Sequence, residues 1–188
     1  MKSYNLFLKL LLIFFFLFNI SFTYAHDHKN NKIPELEYFG TIKFDNFGIE
    51  NTSKQFFVAN INDGTLILAN GDKGKLVSPC ADFGEFKTSL SINLGVRCSI
   101  TMDDGSYLYI YYGGKMIMDE KADQLMKEDK TLKPGNGLSY WISSPQIRTT
   151  SEKYAYMNDI QLIGKGSEAK FTPPTTVTYN LYKVIYTK

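Results

Sequence analysis

The sequence predicts an all-β fold, a single antiparallel barrel of roughly eight to ten strands. Three observations carry that expectation. Asp63-Gly64, Asn70-Gly71, Asp104-Gly105, Gly113-Gly114 and Asn136-Gly137 all supply residues that tolerate positive φ, so they read as turns that cut the chain into short segments. Between them, side chains alternate with a period of two. The alternating runs are rich in Thr, Tyr, Phe, Val and Ile, which suit a pleated, half-buried surface.

Taken in chain order, the first element is not part of the fold. Met1-Lys2 is a short basic start, Leu10 to Phe18 (LLLIFFFLF) is an unbroken apolar run, and Thr23 and Ala25 are small residues at the positions a signal peptidase reads. This is the grammar of a secretory signal peptide over residues 1–25, and the apolar run is short for a bilayer span. An uncleaved N-terminal anchor is the alternative. No later stretch is apolar enough to cross a membrane. The expected mature chain starts at His26 and is exported, to a periplasm or to the outside. Residues 26–34 are polar and read as a flexible lead-in. Residues 35–188 form the barrel domain, a length that suits one domain with one core.

Within the domain, Tyr107 to Tyr112 (YLYIYY) alternates, with Tyr107, Tyr109 and Tyr111 opposite Leu108, Ile110 and Tyr112. Residues 117–130 (IMDEKADQLMKEDK) are charged and free of Gly and Pro, and predict a short helix or a long surface loop. Tyr154, Tyr156 and Asn158 are placed on one face of a strand, giving a polar stripe inside a barrel. Val177 to Tyr186 alternates again, with Val177, Tyr179, Leu181, Lys183 and Ile185 on one face. No internal repeat or low-complexity tract interrupts the pattern.

Charge and histidine content exclude several functions. The signal peptide removes Lys2 and Lys9 and no acid, so the 21 basic residues fall to match the 19 acidic ones. A neutral chain lacks the cationic excess that phosphate neutralisation needs, which argues against a nucleic-acid partner or a polybasic membrane patch. Both histidines, His26 and His28, precede the domain. Ser-His-Asp and Cys-His catalysis and histidine-rich zinc sites are therefore excluded from its interior, and acid–base chemistry falls to carboxylates, Tyr, Lys or Cys. No phosphate-binding Gly-rich loop is present, and no cofactor is expected. Cleavage after Ala25 would expose His26-Asp27-His28. Its free amine, backbone nitrogens and His28 imidazole can make a square-planar nitrogen site for Cu(II) or Ni(II); a polar tail that happens to contain His is the plain alternative.

The two cysteines, Cys80 and Cys98, read as one disulfide in an exported protein, or as two separate buried thiols. Four acids stand out: Asp82, Glu85, Asp103 and Asp104. Asp82, Asp103 and Asp104 are the candidate acid–base groups, because carboxylates facing one cavity can separate in pKa and share the work. Asp104-Gly105 is also ordinary hairpin chemistry, and Asp82 can equally brace a loop. The candidate ligand contacts are Asp82, Tyr109, Tyr154, Tyr156 and Asn158, since tyrosines on a sheet face either cover a wet surface or line a pocket with hydroxyls.

The order of these segments resembles the domain of unknown function 3237 family, from about Leu36 to Tyr186. The resemblance rests on Gly64 to Gly74, on Leu76-Val77-Ser78-Pro79-Cys80-Ala81-Asp82-Phe83, and on Thr101 to Gly105 followed by Leu108-Tyr109-Ile110. It continues through Ser144-Pro145, Thr149, Tyr154 to Asn158 and Ile163-Gly164, and closes on Thr178 to Tyr182. The chain departs from the family pattern where Cys80 replaces Gly, where Phe83 and Tyr156 replace Trp, and where Met102 interrupts a Thr-Asp-Asp run. The Cys80 departure supports a disulfide particular to this chain. The resemblance implies a closed antiparallel β-barrel and no particular reaction.

Three functions follow as expectations. The first is a protein that binds a small, partly apolar molecule in the barrel interior. The second is a cofactor-independent isomerase, cyclase or hydratase working with Asp and Tyr, which requires at least two of the candidate acids to face one cavity. The third is a structural or interaction role in the cell envelope, which a solidly filled interior would favour. The sequence carries no sign of oligomeric state.

Overall fold

The computed structural model describes residues 33–186. The expected signal peptide and the two histidines proposed for a metal lie outside the described residues. Ten strands follow one another: β1 (Glu35–Asn51), β2 (Phe56–Leu68), β3 (Lys73–Thr88), β4 (Ser91–Met102), β5 (Tyr107–Met118), β6 (Lys133–Pro134), β7 (Gly137–Ser143), β8 (Gln146–Arg148), β9 (Leu162–Lys170) and β10 (Thr176–Ile185). One short helix, α1 (Ala122–Lys127), sits in the charged segment expected to hold a short helix or a long loop. No helix among the described residues is long and apolar enough to cross a membrane.

Antiparallel neighbours run β7-β9-β10-β1-β2-β3-β4-β5, and β5 pairs back onto β7 to close an eight-stranded barrel. The short strands β6 and β8 are added at its margins. Closure removes the free edges that an open sheet of this length would expose.

Three of the five turn dipeptides work as turns. Gly71, Gly105 and Gly137 have positive φ, and Gly71 and Gly105 each close a hairpin with a backbone bond to the preceding strand, at 2.9 Å. Asp63-Gly64 and Gly113-Gly114 instead lie inside β2 and β5. There the missing side chain admits a neighbouring backbone. A Cβ on Gly64 would lie 2.4 Å from the Lys43 carbonyl oxygen, and one on Gly114 would lie 2.6 Å from that of Ile142, where β5 meets β7. From sequence alone a Gly of close approach and a Gly of a turn look the same.

The alternation expected in β5 and β10 holds. Leu108, Ile110 and Tyr112 are buried, as are Tyr179 and Leu181, and together they join the interior. Tyr154 to Asn158, expected on a strand, form a 3-10 turn over Ala155–Asp159. This segment follows β8 and carries Tyr154 and Met157 inward, 2% and 1% exposed. The Tyr154 hydroxyl donates to Asp72 at 3.0 Å, and Lys153 reaches Asp72 and Asp104 at 3.0 and 3.2 Å. Asp72 and Asp104 belong to the β2–β3 and β4–β5 hairpins, so the segment is tied to that end of the barrel. The β1–β2 and β3–β4 hairpins mark the opposite end.

Candidate functional site

The register puts one interior row across five strands. Ile49 of β1 opposes Ala59 of β2, Ala59 opposes Asp82 of β3, Asp82 opposes Val96 of β4, and Val96 opposes Tyr112 of β5. Because side chains alternate between faces, this register aims Asp82 into the barrel with apolar neighbours on both sides. Around the row lies a cavity of about 300 Å³ that reaches toward the β1–β2 and β3–β4 hairpins, where Ile49 and Ser89 form part of its rim. Its walls are Phe, Leu, Ile, Val and Met side chains, including Met116, Met118 and Met126 of α1. Thioethers of this kind adapt to ligands of varied shape.

The polar groups gather at one place. The Asp82 carboxylate accepts a hydrogen bond from the Gly95 backbone N–H at 2.7 Å, its only hydrogen bond among the described residues. Burial pushes its carboxyl up to about 6, and the Gly95 bond only partly opposes that. Trp141 donates its indole N–H to the Tyr179 hydroxyl at 2.8 Å. The Trp141 and Tyr179 ring centroids are 4.6 Å apart, and those of Tyr112 and Tyr179 are 5.7 Å apart, both edge to face. The Tyr112 hydroxyl is buried without a hydrogen-bond partner. Burial raises both phenols well above their ordinary range, and the nearby Asp82 charge pushes in the same direction.

Two glycines make room for rings of the lining, Trp141 and Phe57. A Cβ on Gly166 would lie 1.8 Å from Trp141 Cδ2, so the indole lies against a bare stretch of β9. Likewise a Cβ on Gly84 would lie 2.1 Å from Phe57 Cζ. The ring positions are therefore set by missing side chains on neighbouring strands as much as by their own rotamers.

Of the residues nominated from sequence, only Asp82 lines this cavity. Asp103 and Asp104 sit on the β4–β5 turn, where Asp104 accepts a backbone bond from Ser106 and is held down to about 2, that bond being the largest cause. They face a polar recess with Asp72, Lys153 and Tyr154 at the tied end of the barrel. The carboxylate pair required by the acid–base reading is thus not assembled: hairpin chemistry places those acids outside. Tyr109 lies on the outer face, stacked on Tyr111 at 5.7 Å, because alternation gives the inner face to its neighbours. Tyr156 is 49% exposed. Asn158 is occupied by backbone, accepting from Thr149 N–H and donating to the Thr149 and Ala155 carbonyls. Cys80 and Cys98 oppose each other on β3 and β4 and are joined by a disulfide.

The residues that sequence reading missed are Tyr112, Trp141 and Tyr179. Tyr112 is in phase with Leu108 and Ile110, and Tyr179 with Val177 and Leu181, so the apolar phase already marked both as inward. No group of three or more metal-ligating side chains occurs among the described residues.

Similar solved structures show the same fold. A conserved protein of unknown function from Rhodopseudomonas palustris aligns with a TM-score of 0.70 at 17% identity, covering 82% of this chain and 99% of that one. A β-barrel-like protein from Acinetobacter baumannii aligns at 0.64 and 19% identity over 83% of this chain and 99% of its own. A protein with unknown function from Clostridium acetobutylicum aligns at 0.63 and 20% identity over 81% and 100%. No curated protein matches the chain. Residues 34–184, nearly the whole barrel, match the family described as "Protein of unknown function (DUF3237)", and the chain belongs to that family.

Proposed function

We propose that this is an exported barrel that binds a small, largely apolar molecule in its interior, with one polar group of that molecule meeting Asp82. One observation carries the reading: a cavity of about 300 Å³ with apolar walls holds a single carboxylate beside two phenols and an indole. Apolar walls with a few convergent polar groups are the usual composition of a small-molecule site. The volume is room for a ligand of about ten to twenty heavy atoms. An open interior speaks against a purely structural role. The Cys80–Cys98 disulfide fits an oxidising compartment and so supports export.

A second reading has its own support. A carboxyl held near 6 is matched to proton transfer near neutrality, and the unpartnered Tyr112 hydroxyl is within the same cavity. An isomerase, cyclase or hydratase would use Asp82 as the proton acceptor and Tyr112 as a hydrogen-bond donor to the reacting group. It would do so with one carboxylate, not a pair.

Native mass spectrometry of the secreted protein, repeated after denaturation without reduction, tests the first reading. A bound small molecule that is lost on denaturation supports it. A ligand-free mass, together with no uptake of an apolar fluorophore, overturns it. If a ligand is found and is converted on incubation, retention of binding with loss of turnover in Asp82→Asn establishes the second reading.

A further inference from the structure

We propose that the cavity selects a molecule with an apolar body and a cationic amine head, seated between the Asp82 carboxylate and the rings of Tyr112, Trp141 and Tyr179. This rests on the binding reading above and adds the chemical class of the ligand.

The charge balance of the lining points there. Among the described residues the titratable groups facing the cavity are Asp82 on β3, Tyr112 on β5 and Tyr179 on β10. β1, β2, β4, β7 and α1 contribute none, and no Lys, Arg or His lines the cavity. The carboxylate spends one oxygen on Gly95 and has no cation beside it. Buried charges without partners are costly, so proteins pair them as a rule. Here the pairing partner is not in the chain.

Each class of apolar ligand meets this arrangement differently. A fatty acid, a sulfate ester or a phosphate ester would place a second negative charge beside Asp82 with nothing to balance it. A wholly apolar ligand would finish the desolvation of the carboxylate and return nothing for it. An alcohol gives one donor. An ammonium gives the countercharge and up to three N–H donors. One can go to Asp82 Oδ2, and a second to the Tyr112 hydroxyl oxygen, which is buried and has no partner. The Tyr179 hydroxyl accepts from Trp141, which takes one of its acceptor positions, and its ring adds a face for a cation. Trp141, Tyr179, Tyr112 and Phe44 form one edge-to-face cluster, with Phe44 and Tyr179 centroids 6.1 Å apart. Ring faces of this kind attract a desolvated cation, Trp most strongly. The combination of a lone carboxylate with an aromatic cluster in an apolar-walled cavity is the recognition chemistry of a hydrophobic amine.

The chain contains a single Trp, and it is in the cavity, so intrinsic fluorescence reports binding directly. The test is to titrate the full exported chain with n-octylamine, 1-octanol and octanoate at about pH 8, checked by calorimetry. Octylamine is expected to bind at least about tenfold more tightly than 1-octanol, and octanoate most weakly. Asp82→Asn is expected to bring octylamine to the level of octanol, with octanol changed by less than about threefold. The advantage of the amine in the native chain should also shrink as pH falls from about 8 to about 5, where Asp82 takes up its proton. Octanol binding as tightly as octylamine, or more so, overturns the amine assignment and leaves the binding reading intact. No response to any of the three overturns both. If Asp82→Asn does not fold, the ranking of the three ligands and its pH dependence in the native chain decide the matter.

Discussion

Asp82 and Tyr112 stand in one interior row with only Val96 between them, on three successive strands. Their Cα atoms are therefore about 10 Å apart at ordinary strand spacing, and barrel curvature turns both side chains toward a shared space. Each is an acid in a cavity whose lining offers no cation, so burial favours the protonated form of each, and the Asp82 charge further discourages ionisation of Tyr112. This relationship, more than any motif, gives the interior its chemistry, and it costs the empty protein stability.

That cost is measurable. In the unfolded chain Asp82 titrates near 3.8, and in the folded chain near 6. The folded state therefore holds its proton more tightly, and stability falls as pH rises through this window. The penalty is absent below 3.8 and complete above 6. Asp82→Asn, which keeps an acceptor for the Gly95 N–H, is expected to stabilise the ligand-free protein by on the order of 2 kcal/mol at neutral pH. Near pH 4 the gain should be close to zero. Urea denaturation at both values checks it, and equal effects at the two would remove ionised Asp82 as the cause.

Gly166 is expected to be intolerant of even one methyl group. The Cβ of Gly166→Ala would fall within the Trp141 ring, 1.8 Å from Cδ2, so the indole must move. Its hydrogen bond to Tyr179 should go with it. The expected loss is about 1–3 kcal/mol of stability, as for other overpacked cores. The Trp emission of the folded variant should also shift to the red as the indole meets water. A native spectrum with unchanged stability would show that the close approach is not a constraint.

Opening the Cys80–Cys98 bridge, which spans 18 residues, should cost roughly 3 kcal/mol in the chain-entropy account. The measurement is the denaturation midpoint of the double Cys→Ser variant against the oxidised protein. The disulfide lies next to Asp82 on β3, so the same variant should also bind the cavity ligand less tightly if the bridge fixes that strand. An unchanged affinity beside a lowered midpoint would assign it to stability alone.

The sequence by itself determined the class and the inner faces. Turn dipeptides and period-two runs predict an all-β barrel, and Tyr112 and Tyr179, though not nominated, share the apolar phase of β5 and β10, which alternation turns inward as a local property of the backbone. The same rule puts Tyr109 on the outer face, so its nomination as a ligand contact does not hold. Cys80 and Cys98 were legible as a pair from their even count and the expected export, and the β3–β4 register then sets them opposite each other. What the tertiary structure decided is which inward residues share a space. Register places Asp82 level with Tyr112, closure brings β10 and β7 around to them, and the bare strand at Gly166 admits the only indole. Asp103, Asp104 and Tyr154 are close to Asp82 in none of these senses, since their hairpin and the crossing segment lie at the other end of the barrel. Proximity of this kind arises from pairings between residues far apart in the chain, and short-range pattern carries no record of them.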